Sequence, residues 1–262
     1  MDIKLLIILI ITIFFIFICG KTVVENFTLT EQDIEVINFP YATYVINLSE
    51  TDEGKRRWPI ISEKYPLAIR WPAVYGATYD MSEEIENGIL KEYWDFGEWK
   101  YNKSQIVKMT PGELGVILSH YKLWKEIAKK DEPAIILEDD AISTDELTQP
   151  RLDIIFDNLP EDFDIYLLGY IDINPVEEIN QLHSRVYEFV LMHSYVISPK
   201  GARKLLKYLP IDMPLDTWVS KVAKNLKIYR HNFYRYGNND RYYSILINQK
   251  RQEKQIVNTN II

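Results

Sequence analysis

Three consecutive carboxylates, Glu138, Asp139 and Asp140, end the apolar run Ala134-Ile-Ile-Leu137. A buried strand tolerates such charge only at its end, where solvent or a cation reaches it. Oxygen ligands presented this way suit a hard divalent metal, and a metal so held can bind a diphosphate. Side chains alternate along a strand, so Glu138 and Asp140 share one side and Asp139 takes the other. A solvated strand end without metal is the competing reading of these residues alone. Upstream lies Thr110-Pro-Gly-Glu-Leu-Gly-Val-Ile-Leu-Ser-His-Tyr-Lys-Leu-Trp124. There Glu113 is either a carboxylate complementing a positive helix start or a site residue. His120 is either a structural histidine, a donor to a phosphate or a brace for the acidic strand. Trp124 suits the core.

The elements that must position these groups follow from pattern. Tyr41–Leu48 is aromatic and β-branched and predicts a strand. Lys55–Lys64 predicts a helix if Pro59 sits in its first turn. Leu67–Trp71 reads as a second strand. Residues 80–108 show no clean period and are read as an excursion over the site. Pro111 suits a helix start, and Pro133 stops that helix near Lys130; Val116, Leu118, Leu123, Trp124 and Ile127 supply its apolar side. Asp164–Gly169 and Phe189–Ile197 are further strands. Ser198-Pro199 opens a helix, and the Pro-punctuated segment Pro210–Pro214 leads into another. Helix, strand and acidic edge in this order predict an α/β fold with a mixed, mostly parallel sheet that binds nucleotide at the carboxyl ends of its strands.

The chain has 262 residues, 47% of them hydrophobic, and a net charge of −8. That length gives one α/β domain with appendages. The acidic balance, without a basic block, excludes nucleic acid as a partner. The single cysteine, Cys19, rules out an intrachain disulfide and a cysteine zinc site. Leu5–Cys19 is apolar except for Thr12, and no small-x-small cleavage site follows. Residues 1–20 are therefore expected to be an uncleaved, single-pass membrane signal-anchor, a cleaved signal peptide being the alternative. The flanking Lys4 and Lys21 leave the orientation open. Residues 21–38 read as a stem, 39–248 as the globular domain and 249–262 as a polar, frayed tail.

Four segments together resemble glycosyltransferase family 25, which includes bacterial lipooligosaccharide galactosyltransferases and procollagen galactosyltransferase domains. They are Tyr44-Val-Ile-Asn-Leu48 with Arg56 and Arg57; Gly112-Glu-Leu-Gly115 with Ser119-His120 and Trp124; Leu137-Glu-Asp-Asp140; and Tyr195-Val-Ile-Ser198 with Gly201-Ala202, Leu205-Leu206 and Pro214-x-Asp216. The resemblance covers roughly residues 42–220. It implies a GT-A-type fold, a UDP-sugar donor, a glycan or glycoprotein acceptor and usually Mn²⁺ or another divalent cation. One departure stands out: the family's A-V-D-G turn reads Ala73-Val-Tyr-Gly76 here, with Tyr75 in place of an acid.

The resemblance assigns roles. Asp140 is the direct metal ligand, with Glu138 beside it, while Glu138 and Asp139 orient waters, the ribose or Asp140. Asn47 with Arg56 or Arg57 meets the nucleotide, since a guanidinium fork suits phosphate. An inverting transfer needs a base for the acceptor hydroxyl, and Asp216 is the first candidate, Asp212 the rival. Asp216 equally suits a helix N-cap. His231 lies where some GT-A enzymes place a further metal ligand. The expected activity is transfer of a hexose, galactose above others, from UDP. The alternative is a catalytically silent glycan-binding or scaffold protein, motivated by Tyr75.

Overall fold

The run ahead of the acidic cluster forms β5 (Ala134–Glu138), and the opening aromatic run forms β1 (Ala42–Asn47). The two pair in parallel, Tyr44 opposite Ile136 and Ile46 opposite Glu138. β2 (Ile69–Pro72) pairs in parallel with the other edge of β1. On the far side of β5 come β10 (Phe189–Ile197), which runs antiparallel, then β7 (Ile165–Ile173) and, parallel to it, β11 (Ile228–His231). In this computed structural model, which describes residues 36–97, 103–173, 176–236 and 241–249, the remaining strands of this sheet are β8 (Val176–Glu178), β9 (His183–Val186), β12 (Tyr234–Tyr236) and β13 (Arg241–Ser244). Together they make a ten-stranded mixed sheet with the path β2-β1-β5-β10-β7-β11-β9-β8. β2, β1, β5, β7 and β11 point one way, so their carboxyl ends share one edge. Two small ribbons stand apart: β3 (Tyr93–Asp95) with β4 (Ile106–Lys108), and β6 (Ala141–Ser143) with β14 (Ile247–Gln249).

The alternation of apolar residues along β1 and β5 builds two cores. Tyr44, Ile46 and Ile136 face one layer, with Ile117, Leu118 and Trp124 of α3 (Pro111–Ile127). Val45, Ile135 and Leu137 face the other, with Ile61 of α1 (Asp52–Lys64) and Leu152 and Ile155 of α4 (Gln149–Asp157). α5 (Pro199–Leu205) and α6 (Leu215–Val222) pack on the first layer through Ala202, Leu205, Trp218 and Val219, and a single helical turn, α2 (Ser82–Glu86), lies nearby in the chain. Each buried aliphatic or aromatic side chain contributes about 1.5–3 kcal/mol. Side chains cap three of the helices, the last of them at the Ser198 expected from sequence. Thr51 accepts from the Gly54 N–H, Thr110 and Glu113 form a reciprocal capping box, and Ser198 accepts from the Gly201 N–H.

Four expectations are corrected. Pro59 lies inside α1, not in its first turn. It removes one helical hydrogen bond, a loss tolerated beside residues as open as Ile60, which is 61% exposed. The excursion over residues 80–108 supplies α2 and the β3–β4 ribbon, and its described residues do not line the main cleft. The fold begins before residue 39: Ile37 is buried and its N–H bonds the Lys64 carbonyl at 3.0 Å. Gln249 ends β14 and is no part of a frayed tail. The anchor segment 1–20 and most of the stem fall outside the described residues, among which no helix is long and apolar enough to cross a membrane.

Gly169 of β7 faces the β10 residue His193 so closely that a Cβ there would lie 2.2 Å from the imidazole Nε2. Gly169→Ala is expected to destabilise the protein by about 1–3 kcal/mol, read from denaturant midpoints, because the packed ring cannot withdraw without losing its own contacts.

Candidate active site

The carboxyl ends of β1 and β5, the start of α3, the middle of β10 and the start of α6 enclose a cleft of about 570 Å³. Glu138, Asp139 and Asp140 lie in its lining together with Arg57, His120, His193, Asp216 and Gln249.

The three carboxylates are treated differently. Asp139 turns toward α1, where Arg57 Nη1 donates to Oδ1 at 2.5 Å and Asn47 Nδ2 to Oδ2 at 2.6 Å. Asn47 is itself fixed: it also donates to the Gly54 carbonyl at 2.9 Å, and its Oδ1 accepts from Arg70 Nη2 at 2.6 Å. Glu138 and Asp140 turn the other way, as strand alternation requires. Glu138 Oε1 stands 3.4 Å from His120 Nε2. Burial tends to raise the Glu138 carboxyl, but His120 and His193 outweigh it and hold the carboxyl below the usual range. Asp140 has no such partner. Burial and the neighbouring Glu138 charge push its carboxyl up to about 6, against the pull of Arg57. The side-chain amide of Gln249 bridges the pair, with Nε2 3.3 Å from Glu138 Oε2 and 3.4 Å from Asp140 Oδ1.

His120 is held from behind. Trp124 Nε1 can only donate, so the Tyr195 hydroxyl oxygen accepts its bond at 2.8 Å. The Tyr195 proton is then directed at His120 Nδ1, also at 2.8 Å. Nδ1 accepts, so the neutral ring carries its hydrogen on Nε2, aimed at Glu138. All three side chains are buried, and the His120 and Tyr195 rings stack at 5.8 Å.

Two close backbone approaches shape the rest of the cleft. Gly76 and Gly115 face each other: a Cβ on Gly76 would lie 1.7 Å from the Pro111 carbonyl oxygen, and one on Gly115 2.9 Å from Gly76 N. Ser119 Oγ ties the same contact, accepting from the Val74 N–H at 2.8 Å and donating to the Gly115 carbonyl at 2.6 Å. In β10, Leu191 takes φ 66°, and the ladder to β7 shifts register between Val190 and Ser194. That left-handed turn costs about 1–3 kcal/mol for a residue with a Cβ. It is held by the Asp216 carboxylate, whose Oδ2 accepts the Leu191 N–H at 2.9 Å while Oδ1 accepts from the Thr217 N–H at 2.7 Å. The bulge turns His193 inward. Its Nε2 donates to the Ile247 carbonyl at 3.2 Å, and burial keeps the ring below the usual histidine range and neutral.

The residues predicted from sequence thus divide. Arg57, Glu113, His120, Glu138, Asp139, Asp140 and Asp216 converge on the cleft. Glu113 is also committed to the capping box, its Oε2 accepting the Thr110 N–H at 2.7 Å. Asn47 does not line the cleft; it is buried and braces Asp139. Arg56 is exposed and pairs with Glu53 of its own helix at 2.6 Å. Asp212 pairs with Lys221 at 3.1 Å, outside the cleft lining. Pro214 is the N-cap of α6, so Asp216 lies in the first turn and is not the cap. His231 does not reach the cleft: Nε2 donates to the Leu168 carbonyl at 2.9 Å, Nδ1 accepts from the Phe233 N–H at 3.2 Å, and burial pushes the ring down to about 3. No lone pair is left for a metal. Val116, expected in the core, is 40% exposed and lines the cleft. His193 and Gln249 were missed. Only the polar residue inside an otherwise apolar strand could have signalled His193, and nothing local signals Gln249.

The sequence profile of glycosyltransferase family 25 (LPS biosynthesis protein) matches residues 41–219, and the chain belongs to that family. Among curated relatives, the procollagen galactosyltransferase 1-B of Xenopus laevis is 32% identical over 67% of this chain and 30% of its own length. The 1-A protein of the same organism is 29% identical over 68% of this chain and 31% of its own. A probable inactive glycosyltransferase 25 family member 3 of Bos taurus is 28% identical over 42% of this chain and 20% of its own. The chain therefore spans about a third of the length of the galactosyltransferases it matches. Among solved structures, the mannose-1-phosphate geranyltransferase of Thermus thermophilus aligns over 73% of each chain at 15% identity, with a TM-score of 0.34, too low for any inference.

Tyr195→Phe strips the shared hydroxyl from Trp124 and His120 in a dry interior. It is expected to cost about 1–3 kcal/mol in urea unfolding. The raised Asp140 carboxyl means the folded chain holds an extra proton between about pH 4 and about 6, so this group's contribution to stability is lost as pH rises through that window. In chelator-treated protein, Asp140→Asn is expected to melt higher than wild type at pH 7 and to lose that advantage near pH 4.

Proposed function

We propose that the chain is a hexosyltransferase that takes its sugar from a UDP donor with the help of a divalent cation, Mn²⁺ first among them. The sugar would pass with inversion to a hydroxyl of a glycan or glycoprotein. Galactose is the hexose favoured, on the activity for which the Xenopus laevis relatives are named. The apolar segment at residues 5–19 would tether the domain to a membrane.

One observation carries this reading: Glu138, at the carboxyl end of β5, and the nearby Asp140 both line the cleft, where burial and then the Glu138 charge push the Asp140 carboxyl up to about 6. Such a pair fits a cation. Mg²⁺-like ions commonly take one or two carboxylates and complete their shell with water and substrate phosphate. Among the described residues no three His, Cys, Asp or Glu side chains are grouped to hold a metal ion. Donor phosphate would therefore share in holding it with Glu138 and Asp140. When bound, the cation supplies Lewis-acid neutralisation of the departing diphosphate.

The chain's own residues do the rest. Arg57 brings a fixed positive charge to the lining, kept in place by Glu53 and Asp139. His120 fixes the rotamer of Glu138. Asp216 accepts the acceptor's proton: Oδ1 takes the Thr217 N–H and hydroxyl, while Oδ2 carries only the Leu191 N–H and keeps a second acceptor position. The silent-protein reading is favoured by one feature only, Tyr75, which is 46% exposed in the cleft wall where the family pattern has an acid.

The purified chain is expected to release UDP from UDP-galactose in the presence of Mn²⁺. Asp140→Ala should lower that rate by about 100-fold or more, and Asp216→Asn should lower kcat to acceptor by about 100-fold with little change in donor KM. Glycan binding without cleavage of any UDP-sugar would support the silent reading and sink this one.

A further inference from the structure

Tyr75 stands in the turn where the family pattern has an acid, and the fold gives its ring no internal task. The backbone on both sides is tied to α3. The Val74 N–H donates to Ser119 Oγ at 2.8 Å, and Gly76 lies so close to α3 that a Cβ would fall 1.7 Å from the Pro111 carbonyl oxygen. The Tyr75 carbonyl closes the turn, accepting from the Thr78 and Tyr79 N–H groups at 3.1 and 3.0 Å. The ring meets no other aromatic ring or cation among the described residues, and its hydroxyl has no hydrogen-bond partner among them. Tyr75 is 46% exposed and lines the cleft, together with Val116, which follows the Gly115 that touches Gly76.

A pinned turn that holds an aromatic side chain at the wall of a cleft offers a surface to a second flat ring. Tyrosine has only two side-chain torsions to order, so little entropy is lost when a partner settles on it. Strand order says which ring that partner carries. The path β2-β1-β5-β10 places the acidic end of β5 between the loop after β2, which carries Tyr75, and β10, whose Leu191 N–H is held by Asp216. A diphosphate held at Glu138 and Asp140 has two ends. The sugar end must meet the acceptor hydroxyl and the carboxylate that takes its proton, on the Asp216 side. The nucleoside end then runs the other way, across β1 toward Tyr75. Two strand spacings, roughly 10 Å, separate β5 from β2, a span suited to a ribose and its nucleobase.

We infer that Tyr75 is the stacking platform for the nucleobase of the donor. This rests on the nucleoside-diphosphate reading above and gives Tyr75 an active part in it. The residue that motivates a silent protein then strengthens donor capture. A carboxylate at this position would set negative charge beside an anionic ligand, whereas a phenol ring adds contact area without charge.

The test is calorimetric titration of the full chain with UDP, UDP-galactose and inorganic pyrophosphate in Mn²⁺, for wild type, Tyr75→Phe and Tyr75→Ala. Melting without ligand confirms that each variant is folded. Tyr75→Ala is expected to weaken UDP binding by about 10-fold or more and to leave pyrophosphate binding unchanged, since pyrophosphate has no ring to stack. Tyr75→Phe keeps the ring and is expected to bind UDP as wild type does. Equal UDP affinity of wild type and Tyr75→Ala overturns the inference, and a loss confined to UDP-galactose does so by giving the ring to the sugar. Equal weakening of UDP and pyrophosphate overturns it by moving the effect to the phosphates. A loss in Tyr75→Phe as large as in Tyr75→Ala overturns it by assigning the effect to the hydroxyl. A wild-type chain that binds neither UDP nor UDP-galactose removes the donor reading itself, and this inference with it.

Discussion

Three adjacent carboxylates repel one another, and the fold resolves that repulsion unevenly. Asp139 receives a guanidinium and an amide, each from an element that exists to hold it: Arg57 on α1 and Asn47 at the end of β1. Glu138 receives the flank of a histidine ring, and Asp140 receives no formal positive charge at contact distance among the described residues. The consequence is a local deficit of positive charge at the edge of a sheet whose interior is otherwise closed. Alternation along one strand is enough to create it. Arg57 satisfies the side facing α1 and leaves the side facing α3 and β14 wanting.

The neighbouring architecture keeps that deficit from collapsing. A relay from Trp124 through the Tyr195 hydroxyl fixes the orientation of the His120 ring, which presents Nε2 to Glu138. The Gly76–Gly115 contact brings the loop after β2 against the first turn of α3, which a side chain at either position would prevent. Across the cleft lining, a single carboxylate at Asp216 stabilises the left-handed Leu191. The resulting bulge gives His193 its inward direction and a carbonyl partner in β14. Pre-organisation here comes from hydrogen bonds made largely away from water, where breaking them is costly.

Much of this was legible in the residues. The strand ending in Glu138-Asp139-Asp140, the helix opening at Pro111 and the Pro-rich lead into Leu215 announce themselves through local chemistry. So does the cap at Ser198. What escaped was non-local. Arg56 and Arg57 are adjacent and chemically identical; only the phase of α1 against β5 decides that Arg57 meets Asp139 while Arg56 faces solvent. His231 was expected as a ligand from its C-terminal place, where some GT-A enzymes put one, and burial with both nitrogens engaged makes it a structural pin. Gln249 carries no local signal at all, since its side-chain contact with Glu138 spans 111 residues.

That span has a consequence for how the molecule is made. Ribosomes deliver the acidic ledge well before β14, and β6 has no other strand partner among the described residues. While the chain is still being synthesised, the ledge lacks its far border, so a fragment ending after the 41–219 match contains every recognisable signature yet an unfinished site. Competence for ligand capture is thereby tied to translation proceeding well past the stretch by which the family is recognised.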